Sequence, residues 1–299
     1  MTLAKGKIKW SLYLMVLPAF VLILIYHYGP LGGLVIAFQR YDFSRSIFNQ
    51  EWAGFSNFRY LFNYPNFFNV LKNTLFISSM KLIVNFIVPI SVSILINELK
   101  NVRLKRNIQT LIYLPHFVSW VIISGIFIDI LSPSEGIVNH VIKLLGMEPI
   151  YFLGNAEIFP FVLVITDVWK EFGFGTIIYL AALTNIDPNL YEAANIDGAK
   201  RFQKVRHITI PGITHIMVLI GTLSLGRILN AGFEQVFNMY NPLVYSTGDI
   251  IDTLTYRVGI QDFEYDLATA IGLFKSVISL ILVSTSYYLA SKFANYRIF

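Results

Sequence analysis

The sequence predicts an all-α polytopic membrane protein with about six transmembrane helices, and three observations predict it. Of its 299 residues, 55% are hydrophobic, with a mean hydropathy of +0.60. Only 14% are charged, where a soluble chain carries nearer ~25%. The charge is also unevenly placed: it is missing from long apolar stretches and gathered in the connections between them. A hydrocarbon core of ~30 Å takes ~20 apolar residues in a helix. The segments of a membrane β-barrel are short and alternating, whereas these are long and continuous.

The elements follow in order. A first span covers residues 10–28 and extends toward 38, with Gly29-Pro30 and Gly32-Gly33 expected to bend or interrupt it. Lys5, Lys7 and Lys9 precede it, as in a signal peptide. The apolar run is longer than a ~7–15-residue signal core, so a retained helix is expected. The stretch 40–69 is too polar to span, and its Trp52, Phe55, Phe58, Tyr60 and Tyr64 suit a membrane–water boundary. A second span is read at 70–99, a third at 108–131 with Pro115 near its start, and a fourth at 158–183. A fifth is read at 213–236 and a sixth at 267–293, before the tail Asn295-Tyr296-Arg297-Ile298-Phe299.

Charge orients these spans. The net charge is +5 and the pI about 9.2. The Lys and Arg residues cluster at the N-terminus, after the second span, after the fourth and at the C-terminus. With six crossings these all fall on one side, so both termini are expected to be cytoplasmic. The basicity is thus explained by topology, and no nucleic-acid partner is expected. Cysteine is absent, which excludes a disulfide framework and a Cys-based metal site. No soluble domain or strong repeat stands out, so residues 1–299 are read as one transmembrane domain.

The most informative stretch is the polar connection at about 184–212. Asp187 is a good helix N-cap and Pro188 suits the first helical position. Glu192, Ala193 and Ala194 favour a short helix, and Gly198 can end it in a left-handed cap. A second helical stretch, 199–207, is expected before Ile210-Pro211 at the entrance of the fifth span. The connection therefore reads as a helix–turn–helix hairpin beside the membrane, with Tyr191, Ile196 and Phe202 left near water unless a partner covers them.

Glu192-Ala193-Ala194, then Gly198, then Ile210-Pro211, placed before the penultimate span, resemble the EAA loop of binding-protein-dependent ABC importer permeases. Ile36-Ala37-Phe38-Gln39, Asn73-Thr74-Leu75, Tyr113-Leu114-Pro115, Trp169-Lys170 and the region 230–252 extend the resemblance to carbohydrate-uptake permeases. Within these, the chain resembles the subgroup for oligosaccharide and polysaccharide import, polygalacturonan-type systems included. Ile210 stands where many relatives have Leu, which keeps the apolar character. The resemblance implies a type I importer permease of the bacterial inner membrane. It implies a loop in which Tyr191, Glu192, Ala193, Ala194, Asp197, Gly198 and Phe202 couple to a cytoplasmic ATPase. It also implies a second, different permease subunit, two ATP-binding cassette subunits, an extracytoplasmic solute-binding protein and a saccharide substrate. The chain has no G-x-x-x-x-G-K-[ST] loop, so no cofactor is expected in it. ATP and Mg are expected on the partner ATPase, and the chain is not expected to be an enzyme.

Charged residues within spans face a cavity or a partner more often than lipid. Asp167, Lys170 and Glu171 share one face of the fourth span by their spacing, flanked by Trp169 and Phe172. Arg227, Asn230, Glu234 and Asn238 advance by three or four along the fifth and form a polar stripe. Such a wall, mixing polar groups with aromatic rings, suits sugar hydroxyls and sugar C–H faces. It equally suits helices tied to one another. Lys81 and Lys275 are read as snorkelling or pairing with helix neighbours, and Asp129 as interfacial. The alternative function is an ion-coupled secondary transporter, which would leave the EAA-like loop unexplained and calls for a repeat that is not evident. A membrane-embedded enzyme is disfavoured because His27, His116, His140, His207 and His215 show no metal-binding spacing.

Overall fold

The computed structural model describes residues 10–293. The basic residues Lys5, Lys7 and Lys9 and the tail from Asn295 lie outside the described residues. Four helices among these are long and apolar enough to cross a membrane: Tyr13–Phe38, Phe67–Asn97, Arg201–Leu225 and Tyr265–Tyr288. The pair Val102–Phe117 and Trp120–Ile130 makes a fifth if taken as one span. Helix Phe159–Leu183 has span length at 25 residues. It carries three charged residues close together near its middle, Asp167, Lys170 and Glu171.

The chain forms two compact units, one holding the chain up to Tyr64 with Thr255–Leu273, the other holding Pro65–Leu254 and the chain from Phe274 on. In the first unit, α-helix Trp10–Ile23 runs on through a π turn, Leu24–Tyr28, and a 3-10 stretch, Gly29–Phe38. The Gly-Pro and Gly-Gly pairs loosen the helix rather than interrupt it. A two-stranded antiparallel ribbon follows, pairing Gln39 with Trp52 and Arg40 with Glu51. Asn57 Nδ2 clamps its base by donating to Ala37 O at 3.0 Å and Gln39 O at 2.9 Å. Phe38 stacks on Trp52 with centroids 5.8 Å apart. The aromatics expected at a membrane boundary thus also build this small ribbon.

The second unit is organised on helices Phe67–Asn97 and Phe159–Leu183, which pack along each other. Two apolar clusters lie on this pair. One gathers Ile77, Phe159, Leu163, Val236 and Ile250, and the other Ile90, Tyr179, Leu183 and Ile213. Between them the pair is polar, and that interval holds the site described below.

Two expected spans are broken. The third is a basic amphipathic helix, Val102–Tyr113, a 3-10 turn, Leu114–Phe117, and a second helix, Trp120–Ile130, with the halves bent by 102°. Pro115 restricts the residue before it and removes a donor. Ser119 then restarts the chain by capping Ile122 N–H at 3.4 Å. The fifth helix stops at Leu225, and residues 226–232 are unwound before a short helix, Phe233–Met239. At the other end it starts earlier than expected, because Arg201–Lys204 and the π turn Val205–Thr209 join it without a gap. Pro211 follows the π turn directly, and the widened bonding of that turn accommodates the donor that proline lacks inside a continuous helix.

Candidate functional site: an exposed hairpin and a polar cavity

The hairpin forms from local chemistry. Asp187 accepts Asn189 N–H at 3.0 Å and caps helix Pro188–Ile196. Gly198 ends it at φ +72°. Gly198 N–H donates to Asn195 O at 3.1 Å and Ala199 N–H to Ala194 O at 2.8 Å, the paired bonds of a Schellman turn. Nothing crowds the position where a Gly198 Cβ would lie, so the backbone angle alone selects glycine. Lys200 N–H then donates to Gln203 Oε1 at 2.7 Å and opens the next helix.

The side chains divide into two sets. Tyr191 turns inward, its hydroxyl 3.0 Å from Thr209 Oγ1, and Lys204 Nζ donates to Asn195 Oδ1 at 2.8 Å. These contacts tie the two limbs together. Glu192, Ala193 and Asp197 are exposed and Ala194 is half-buried. Ile196 and Phe202 are 86% and 74% exposed, an unusual state for such side chains with no partner.

The polar cavity has a volume of about 400 Å³ and lies between helices Phe67–Asn97 and Phe159–Leu183 and the unwound stretch. Asp167, Glu171, Arg227 and Asn230 all line it. Lys81 and Asn85, which the hydropathy pattern hides inside the second span, line it too. Lys81 is 6% exposed. Its Nζ lies 3.1 Å from Asp167 Oδ1, donates to Ala231 O at 2.7 Å, and also donates to Gln235 Oε1. Asn85 Nδ2 donates to the other Asp167 oxygen at 2.8 Å. Gln235 Nε2 donates to Leu163 O at 2.8 Å and Thr166 Oγ1 at 2.7 Å.

This network explains how the fifth helix tolerates a break. An unwound backbone inside a membrane needs every carbonyl answered. Ser78 Oγ donates to Ile228 O, Lys81 to Ala231 O, and Asn230 Oδ1 receives Gly232 N–H at 3.3 Å. Gly232 sits at φ +88°, and a Cβ there would stand 3.0 Å from Lys81 Nζ.

The remaining expected residues lie elsewhere. Lys170 is buried away from the cavity. It donates to His116 O at 2.7 Å, touches Glu171 Oε1 at 3.2 Å, and lies 5.6 Å from the Trp120 ring centroid. His116 Nδ1 is 2.8 Å from Glu171 Oε2, and its ring stacks on Phe174 at 4.1 Å. The bend of the third span is thereby fastened to the cavity wall. Trp169 and Phe172 line a separate apolar groove of about 450 Å³ with Met80 and Val84. The three-four spacing of the fourth helix is thus split: positions 167 and 171 face the polar cavity, 169 and 172 the groove, and 170 the bent pair. The stripe of the fifth span is split as well, because the break rotates Glu234 and Asn238 off the line of Arg227 and Asn230. Glu234 is exposed, and Asn238 Nδ2 bonds back to Glu234 O at 2.7 Å. Lys275 is paired with Asp252 at 2.5 Å. Among the described residues no group of His, Asp and Glu is arranged to hold a metal ion.

The hairpin leads into a long apolar helix that ends at the polar cavity, and comparison with known proteins identifies the family. The model of the binding-protein-dependent transport system inner membrane component matches residues 86–295. The chain belongs to this family of inner-membrane transport permeases. It is 42% identical over 291 residues to Protein LplB of Bacillus subtilis (strain 168), covering 97% of this chain and 91% of that one. It is 41% identical over 288 residues to the polygalacturonan/rhamnogalacturonan transport system permease protein YteP of the same organism, covering 96% and 90%. Among solved structures it resembles a chain of a bacterial ABC transporter involved in the import of the acidic polysaccharide alginate. The TM-score is 0.87 at 39% identity, with 95% of this chain and 96% of that one covered. A further structure of the bacterial alginate transporter, in complex with an alginate pentasaccharide-bound periplasmic protein, gives 0.86 at 39% identity, covering 95% and 94%. The fold is therefore that of a type I ABC importer permease.

Proposed function

We propose that the chain is one of two different membrane subunits of an ATP-driven importer of oligosaccharides or polysaccharide fragments. Its whole length acts as a single transmembrane domain in a bacterial inner membrane, with both termini cytoplasmic. Two ATPase subunits supply ATP and Mg binding, and an extracytoplasmic binding protein delivers the saccharide. The names of the similar permeases support the saccharide class.

The observation that carries the reading is mechanical continuity. The hairpin presents Ile196 and Phe202 outward, and its second limb is the start of the 25-residue helix Arg201–Leu225. At 1.5 Å per residue that helix is roughly 37 Å long. Its far end supplies Ser224 and leads directly into Arg227 and Asn230 of the cavity wall. A push on the hairpin by a docked ATPase therefore moves the cavity wall, which is the coupling that alternating access needs.

The test is reconstitution of the chain with its second permease, ATPases and binding protein in liposomes. Uptake of labelled oligosaccharide should require internal ATP. Ala193→Trp, which enlarges an exposed position of the docking face, should detach the ATPase and abolish uptake while leaving insertion normal. Uptake driven by an ion gradient without ATP would instead establish the secondary-transporter reading.

A further inference from the structure

We infer that helices Phe67–Asn97 and Phe159–Leu183 hold an anionic phospholipid outside the polar cavity, with an acyl chain in an apolar groove and the headgroup phosphate on Lys72. The site is independent of which solute the cavity passes, and it adds a lipid ligand to the transport reading above.

The groove between the two helices runs past Met80, Val84, Val88, Val164, Ile165 and Trp169 and has a volume of about 450 Å³. At Met80 it continues into a second hollow of about 540 Å³ on helix Phe67–Asn97, lined by Leu71, Leu75 and Phe76 beside Lys72. Phe76 of this hollow and Phe161 of the groove meet edge to face, with centroids 6.1 Å apart, and join the two. From Lys72 to Val84 the helix rises by roughly 18 Å at 1.5 Å per residue. One leaflet's share of a hydrocarbon core of ~30 Å is about that depth.

Two observations select the occupant. The first is charge. Lys72 is exposed and makes no hydrogen bond or ion pair among the described residues, and no carboxylate lines the groove or the hollow. A phosphate supplies the counter-charge that this ammonium lacks. The lysine stem can lie on the apolar wall while its head stays at the headgroup level. The second is shape. Helices pack in membranes through small residues that let their backbones approach. Helix Phe159–Leu183 does so against its own chain: a Cβ on Gly173 would overlap Ile112 O, and one on Gly175 would stand 3.1 Å from Pro89 Cγ. The groove has no such seam. Apart from Lys72, only Ser79 among its lining residues is small, and the rest are branched, aromatic or methionine side chains. A flexible acyl chain fills a furrow of this kind, whereas a second helix would bridge over it.

The test places the complete transporter in liposomes of phosphatidylcholine and phosphatidylglycerol, with one lipid or the other brominated near the methyl end of its chains. Trp169 is half exposed in the groove, so a brominated chain lying there quenches its fluorescence. The same measurement on Trp169→Phe subtracts every other tryptophan. Brominated phosphatidylglycerol should quench Trp169 at about fivefold lower mole fraction than brominated phosphatidylcholine, the usual worth of one lysine beside an anionic lipid. Lys72→Gln should bring the two lipids level, and Lys72→Arg should keep the preference. Co-purification of all subunits checks that the Lys72 variants assemble. Equal quenching by both lipids in wild type overturns the inference, as does a preference that survives Lys72→Gln. Quenching by neither lipid overturns it too, because another protein chain then fills the groove. Transport is not the readout, so a failure of the saccharide reading leaves the lipid result standing.

Discussion

The hairpin and the cavity use opposite constructions. In the hairpin every defining bond is short in sequence. Asp187 caps two residues ahead, Gln203 reaches back three, and the longest link joins Tyr191 to Thr209, eighteen apart. Its apolar side chains point outward and its polar groups hold the turn. In the cavity the defining bonds are long: 82 residues from Asn85 to Asp167, 150 from Lys81 to Ala231, and 154 from Lys81 to Gln235. Its polar groups point inward and are answered within a low-dielectric interior. A surface that docks another protein, as proposed for the hairpin, keeps its own fold by local means and leaves hydrophobic area uncovered. A cavity inside a membrane cannot leave its polar backbone uncovered, so it borrows partners from helices far along the chain. The first is sensitive to backbone angle and side-chain size, the second to removal of a charge.

The largest expected effect falls on the cavity. Lys81→Met leaves Asp167 facing Asn85 without its cation and removes the donor that holds Ala231 O. Breaking a buried pair from one side costs about 3 kcal/mol or more. The purified variant should therefore melt well below wild type in detergent. The double variant Lys81→Met with Asp167→Asn should recover most of that loss, since no uncompensated charge remains. Failure of the second change to recover stability would show that the bond to Ala231 O, rather than the ion pair, holds the unwound stretch.

The second effect falls on the hairpin and leaves the membrane core alone. Gly198→Val forces a β-branched residue to φ +72° at a cost of roughly 1–2 kcal/mol. The Schellman turn should open and the helix Pro188–Ile196 should lose its fixed angle to the next limb. We expect normal membrane levels, an unchanged melting temperature and an uptake rate reduced by about tenfold, equivalent to a coupling loss of ~1.4 kcal/mol. A melting temperature that falls as far as that of Lys81→Met would erase the distinction between the two regions.

That distinction also decides what could be read in the sequence. The hairpin was legible residue by residue. An N-cap, a proline at the first turn, two alanines and a glycine each carry local meaning, and Asp187, Pro188 and Gly198 do what their chemistry predicts. The first, second and sixth spans were legible because long apolar runs have one outcome. The cavity was legible only in part. Asp167 and Glu171 share a face as their spacing of four implies, and Arg227 and Asn230 join them. The period failed at residues 226–232, because a helical stripe presumes a helix and the local signals that the backbone would unwind were weak. Gly226 and Gly232 were the available signals. Asn85 was missed, and Lys81 reads as snorkelling or pairing within its own helix, because each looks like an isolated polar residue within an apolar run and only the approach of the fourth span gives them Asp167 as a partner.

The third effect sharpens the comparison by putting a backbone requirement inside the cavity. Gly232→Ala combines φ +88° with a Cβ 3.0 Å from Lys81 Nζ. The backbone angle costs about 1 kcal/mol, and the ammonium must retreat from Asp167 or Ala231. Stability should fall by less than in Lys81→Met, while uptake falls along with it, because the cavity wall itself is displaced. Thermal melting and uptake measured on one preparation separate this from Gly198→Val, where uptake alone should fall.

The smallest effect lies outside both regions and supplies their baseline. Glu264 precedes helix Tyr265–Phe293. Partial burial pushes its carboxyl above the usual glutamate value of 4.5, and the charges of Asp266 and Asp262 push the same way. A carboxyl whose folded-state pKa is raised binds its proton more tightly folded than unfolded. Its penalty is absent below the unfolded value, develops as pH rises from about there through the folded value, and is constant above it. Glu264→Gln removes the titration, so wild type should lose stability relative to the variant as pH rises from the acid side of 4.5 toward neutrality. Melting temperatures of the two proteins across that interval measure it. The two curves should lie together at the acid end and separate with the variant higher at neutral pH. A gap that is constant with pH would mean that the glutamine packs differently and that the neighbouring aspartates do not act on Glu264. Because neither the hairpin nor the cavity is touched, uptake at neutral pH should be unchanged, and any loss there would tie this acidic corner to transport.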